Sequence, residues 1–190
     1  MRIGTTEDLF ISDAAKAVYE LWLSLPREEG ELCPKRLELD LNVLPPNIRK
    51  YCFILSYLDE GVLSVVKAGT AISDFLGSKI EGQNVMAQRP PDQLPLEYRY
   101  YGAIVSQPCA GKVVRRTKNI TGNHAHFNTI HLPLLDYQNK ALYLLGVVAV
   151  TDREAPEEKD SENIYSASLL INQMIIDIGG GLPLFLTTKY

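Results

Sequence analysis

The hydrophobic pattern of the chain changes period at Cys52, and that change limits the fold more than any other feature. The run CFILSYL, the turn Asp59-Glu60-Gly61 and the run VLSVVKA are two β-branched, aromatic segments of strand length, which predict a hairpin. Strand signals return only late, at Lys112 to Thr121, His126 to Leu135 and Ala141 to Thr151, separated by Gly122-Asn123 and by Asp136 to Lys140. Between the two groups the signals are helical. Gly69-Thr70 leads into Ala71 to Leu76 with Gly77 as a C-cap, a turn follows at Glu81-Gly82, and Leu96 to Gln107 carries Tyr98, Tyr101 and Val105 before Pro108. Two strands, short helices, then three strands predict an α+β fold: a five-stranded antiparallel sheet with short helices on one face and a pocket between the two layers.

The flanks read as helical. Ala14, Val18, Leu21, Trp22 and Leu25 fall on one helical face behind a Ser12 N-cap, and Pro26 and Gly30 stop that helix before an extended linker and a short helix over Asn47 to Tyr51. Residues 152 to 162 carry six acids against two bases and read as a solvated linker. A second amphipathic helix is predicted from about Ser161 to Ile178, with Ile164, Ala167, Ile171, Ile175 and Ile178 on its stripe and Gly179 to Gly181 behind it. The organisation is therefore residues 1–51 as N-terminal helix and linker, 52–151 as core, and 152–190 as acidic linker and C-terminal helix.

Composition narrows the function classes. Lys and Arg number 19 against 23 Asp and Glu, a net charge of −4, so no global positive field gathers nucleic acid or anionic lipid. Cys33, Cys52 and Cys109 are widely spaced and form no CxxC pair, so neither a disulfide framework nor a zinc knuckle is signalled and a reducing cytoplasm fits. The N-terminus carries no secretory pattern, and the uncharged stretch from Asn163 to Ile176 is too short and polar to span a membrane. Phosphate-loop, dinucleotide and nucleophile-elbow motifs are absent: Gly111-Lys112 continues into Val113, and the three glycines at 179–181 follow a predicted helix where a dinucleotide fingerprint follows a strand.

Several strings, in order, resemble a bacterial subgroup of the PAS-like sensory domains. They are Leu21-Trp22 with Gly30-Glu31-Leu32-Cys33-Pro34-Lys35-Arg36-Leu37-Glu38-Leu39-Asp40, then Gly69-Thr70, Gly77 and Gly82, then LPLLDYQNKALYLLG from Leu132 to Gly146. The resemblance spans about residues 20 to 150, and it implies a stand-alone sensory or interaction module without enzymatic activity. It further implies a small ligand or a protein partner, and pairing into a homodimer through flanking helices. Tyr101, Val105, Phe127 and His131 are the expected ligand-binding residues. The cofactor is left unknown, with a histidine-ligated haem as one option because some PAS-like domains carry haem.

The residues themselves leave alternatives. His124 and His126 share a strand face and His131 has the opposite parity, so the three converge on a metal only across a bulge, and no metal site is expected. Lys112, Arg116 and Lys118 form a basic stripe with Val114, read as a solvated outer face, while Arg115 and Arg116 are unusual inside a strand of this kind. Asp74, Glu97, Asp136 or His131 would supply the base if the cavity were that of an acid-base isomerase or hydrolase. A ligand-free dimeric adaptor is the remaining alternative.

Overall fold

The computed structural model describes residues 1–118, 124–154 and 168–187. The predicted hairpin is present as β2 (Cys52–Asp59) and β3 (Val62–Ala68), and the three later strands are β4 (Ala110–Lys118), β5 (His124–Leu134) and β6 (Tyr143–Glu154). β6 lies antiparallel on β2 from Cys52↔Val147 to Ser56↔Tyr143, which joins the hairpin to the β4–β5–β6 meander. The five strands make the predicted antiparallel sheet. Two more extend it: β7 (Ser168–Ile176) runs antiparallel on β4, and β1 (Arg2–Gly4) runs parallel on β7, for the order β1-β7-β4-β5-β6-β2-β3.

β7 corrects the helix expected over residues 161–178. Its first part, with Ile164 and Ala167, lies outside the described residues; the rest is a strand. A continuous apolar run fits a strand covered on both faces as well as it fits a helix, so periodicity does not separate the two. The neighbouring strand decides. Without β7, β4 would present a row of unpaired backbone groups at the sheet edge. The strand sends Ile175 to one core and Ile176 to the other and leaves Ile171 exposed, which an unbroken helical stripe would not.

Helices cover both faces of the sheet, not one. α1 (Asp13–Ser24), capped by Ser12 Oγ accepting from Ala15 N, packs Val18 and Trp22 on Ile130, Leu132 and Leu145. Trp22 Nε1 donates to Pro133 O at 2.8 Å, and Leu135 N donates to Pro34 O at 2.9 Å. The strings around Trp22 and Pro34 and the Leu-Pro-Leu string of β5, far apart in the chain, are thus one contact. A four-residue helix α2 (Pro46–Arg49) precedes the hairpin, and a C-terminal turn of helix, α5 (Leu184–Thr187), closes the described chain.

The other face carries α3 (Thr70–Leu76) and α4 (Leu94–Ser106). Glu97, Tyr100, Tyr101 and Ile104 of α4 recur at helical spacing and are the residues turned inward. Two glycines allow that approach. A Cβ on Gly111 would lie 2.2 Å from the Tyr100 hydroxyl oxygen, and one on Gly146 would lie 2.0 Å from Cζ of Phe53. Gly146→Ala should therefore lower stability by about 1–3 kcal/mol, the usual cost of overpacking. Phe53→Leu in the same background should recover part of the loss, as read by urea denaturation.

Candidate functional site

α3, α4 and the segment joining them stand off the sheet and enclose a cavity of about 180 Å3. Its floor comes from six strands: Phe53 and Leu55 of β2, Val65 of β3, Val113, Arg115 and Thr117 of β4, Phe127, Thr129 and His131 of β5, Val148 of β6 and Ser168 of β7. Ile72 and Leu76 of α3 and Tyr101 of α4 form the opposite wall, and Gln83, Gln88 and Arg89 of the connecting segment complete it. Exposed Gln88 bonds Gln83 there, Nε2 to Oε1, at 2.8 Å.

One end of the cavity is apolar and the other is ionic. Phe75 and Phe127 meet with ring centroids 4.7 Å apart at the apolar end. At the ionic end Arg115, 5% exposed, donates through Nη2 to both carboxylate oxygens of Glu97, which is fully buried. Burial works against the Arg115 charge, but Glu97 first and then the Tyr101 hydroxyl beside it hold it above its ordinary affinity for a proton. Arg89 lies close by without a carboxylate among the described residues. Its Nη1 donates to Ser168 Oγ at 2.8 Å, and burial followed by repulsion from Arg115 lowers its pKa to about 10.

His131 sits between two glycines, opposite Gly111 on β4 and Gly146 on β6. The space left by their missing side chains is filled by Tyr100, whose hydroxyl shares a 2.9 Å hydrogen bond with His131 Nδ1, and by Phe53, edge-on to the imidazole at 5.6 Å. Burial first, and the Arg115 and Arg89 charges next, lower its pKa to about 3, so the ring is neutral across the physiological range.

Tyr101, Phe127 and His131 of the expected ligand-binding set line this cavity together; Val105 does not. It is half-buried on α4, turned away from the arc set by Glu97, Tyr101 and Ile104. Arg89, Arg115 and Ser168 complete the site and were not singled out for it. Arg115 had a legible signal: its parity in β4 is opposite to that of Lys112, Arg116 and Lys118, which places it on the inner face. Ser168 was hidden inside the predicted helix. His126 lies on the opposite face of β5 from His131.

Of the four acid-base candidates, Glu97 and His131 lie by Arg115 at the ionic end, and Asp74 and Asp136 lie elsewhere. Asp74 is exposed on α3, Asp136 accepts from Gln138 N and Lys140 N in a turn, and Glu97 is held by Arg115. Among the described residues, the flanks do not offer the free helices expected for pairing. The α1 stripe is spent on the chain's own sheet, and the C-terminal one is a strand.

A sequence model described as a PAS domain matches residues 11–149. The chain belongs to the PAS domain family. Its α+β fold, with five antiparallel strands and intervening helices, is the fold of that family, whose members serve as sensory modules. No curated protein is significantly similar to it in sequence. Among solved structures it is similar to an RNA-binding light-oxygen-voltage receptor, with 14% identity and a TM-score of 0.43 over 67% of this PAS chain and 36% of that one. It is also similar to a fungal LOV domain photoreceptor, with 17% identity and a TM-score of 0.43 over 74% and 95% of the two chains. The PAS chain thus spans about a third of the first receptor. None of its described helices is long and apolar enough to cross a membrane.

The lowered His131 pKa has a signed consequence. Between about pH 6.5, where an unfolded histidine titrates, and about pH 3, the unfolded chain binds the proton that the folded chain refuses. The neutral ring's contribution is therefore complete above pH 6.5 and declines as pH falls. From pH 7.5 to pH 5 the native protein should lose about 2 kcal/mol more than a His131→Gln variant. Urea denaturation at the two pH values measures the difference.

Proposed function

We propose that this PAS protein is a non-enzymatic sensory module whose cavity between the sheet and α3/α4 takes a small ligand and whose occupancy is read by a protein partner. The observation that carries this reading is the cavity itself, apolar at Phe53, Leu55, Phe127 and Val148 and polar at Arg115, Arg89 and His131. Binding sites for small molecules combine apolar walls with a few placed polar groups in this way. An engineered apolar cavity of about 150 Å3 accepts benzene, so 180 Å3 suits a ring-sized molecule. A haem macrocycle is several times larger than that space, which counts against the haem option.

The mechanism is a population shift. A ligand that packs against α3 and α4 favours the arrangement it fits, and the partner binds that arrangement more tightly. The non-enzymatic reading is supported by the state of the ionisable groups: Glu97 is locked in an ion pair and His131 is neutral, with Nδ1 committed to Tyr100. A general base needs a free lone pair and a proton affinity near the working pH. The net charge of −4 favours a protein partner over nucleic acid. Cys33, Cys52 and Cys109 are free and buried, with their thiols pushed up to about 12 by burial, as fits a reducing cytoplasm.

Native mass spectrometry after incubation with a metabolite extract tests the reading. The native chain should retain a small molecule that leaves on denaturation, and Thr129→Trp, which fills the cavity floor, should retain none. A chain that takes up nothing, or a variant that takes up the same molecule, would favour the ligand-free adaptor.

A further inference from the structure

The ionic end of the cavity carries more positive charge than the described residues neutralise. Arg115 and Arg89 are two guanidinium groups facing one carboxylate, Glu97, and His131 beside them is neutral. Their hydrogen bonds are incomplete in the same sense. Arg115 Nη1 and Arg89 Nε are shielded from water and have no acceptor, although both residues line the cavity. Glu97 reaches neither of them: both of its oxygens meet Arg115 through Nη2.

A buried cation without a counter-charge is unfavourable, and so is each buried donor without an acceptor. Two donors and one surplus charge at the end of an apolar space define the missing group: an acceptor-only anion with two oxygens. A planar carboxylate meets guanidinium nitrogens in that way. The remainder of the cavity, about the size of one ring and walled by Phe53, Phe127 and Val148, sets the rest of the molecule.

We infer that the ligand is a small organic carboxylate with an apolar, ring-sized body, its carboxylate received by the guanidinium groups of Arg115 and Arg89. This rests on the cavity being a ligand site and adds the ligand's charge and shape. The Tyr101 hydroxyl, His131 and Lys118 complete the polar lining beside the two guanidinium groups. The apolar body distinguishes this ligand from inorganic anions, which would leave the aromatic end unfilled.

Isothermal titration of the full chain tests the inference with benzoate, its uncharged relatives benzamide and toluene, and inorganic phosphate. Benzoate should bind at one site at least tenfold more tightly than benzamide, and phosphate should not compete with it. Arg89→Met leaves the Arg115–Glu97 pair intact, so it should fold; it should weaken benzoate at least tenfold while changing toluene affinity less than twofold. Glu97→Gln/Arg115→Met, which removes both charges of the pair together, should have the same effect on benzoate. If toluene or benzamide binds as tightly as benzoate, or if Arg89→Met binds benzoate unchanged, the carboxylate inference fails while the cavity remains a ligand site. Should none of the four probes bind, the inference and the sensory reading fall together.

Discussion

The Arg115–Glu97 ion pair is the interaction on which the rest of this structure depends. It ties the first turn of α4 to the middle of β4 at a point where both side chains are buried. Breaking such a pair by removing one partner typically costs about 3–5 kcal/mol, whereas replacing both by apolar groups is often neutral or stabilising. Its presence is therefore weak support for stability and stronger support for specificity: it fixes where α4 sits along the sheet. Leucines at the two positions would close that end of the cavity; a guanidinium and a carboxylate hold it open and polar.

Next to the pair, the rung Gly111–His131–Gly146 sets how closely the helix layer approaches. Where both glycines lack side chains, Tyr100 descends from α4 over Gly111 and Phe53 of β2 lies across Gly146, both against the imidazole. One step along the strands, at Val113, Thr129 and Val148, the layers separate into the cavity. The sheet thus alternates a zone of tight contact with a zone of open space. On the opposite face Trp22 of α1 is buried in the other core, and its indole N–H is satisfied by Pro133.

How much of this is legible in the sequence depends on whether local or distant groups decide each element. The β2–β3 hairpin is fixed by its own turn and β-branched residues, and the ends of α4 follow from Pro95 and Pro108. Tyr101, Phe127 and His131 line the cavity: Phe127 and His131 share one parity of β5, and Tyr101 follows Glu97 by about one helical turn. Val105 lies outside the lining, since the inward arc of α4 is chosen by what Glu97 and Tyr100 find on the sheet. β7 was misread because its partner is β4, more than fifty residues away, and an apolar run carries no mark of a distant edge. The Arg115–Glu97 pair was half legible: parity turned Arg115 inward, but nothing local pairs it with a carboxylate on another element.

The central claim is that the space beneath α3 and α4 is a real, loadable cavity. Diffraction from crystals under xenon pressure tests it most directly, because xenon enters preformed apolar cavities without requiring any particular ligand chemistry. The account predicts a xenon site among Phe53, Phe127 and Val148 with α4 undisplaced and the Arg115–Glu97 pair intact. A cavity found collapsed, with side chains of α3 or α4 occupying that space and no xenon bound, would contradict it.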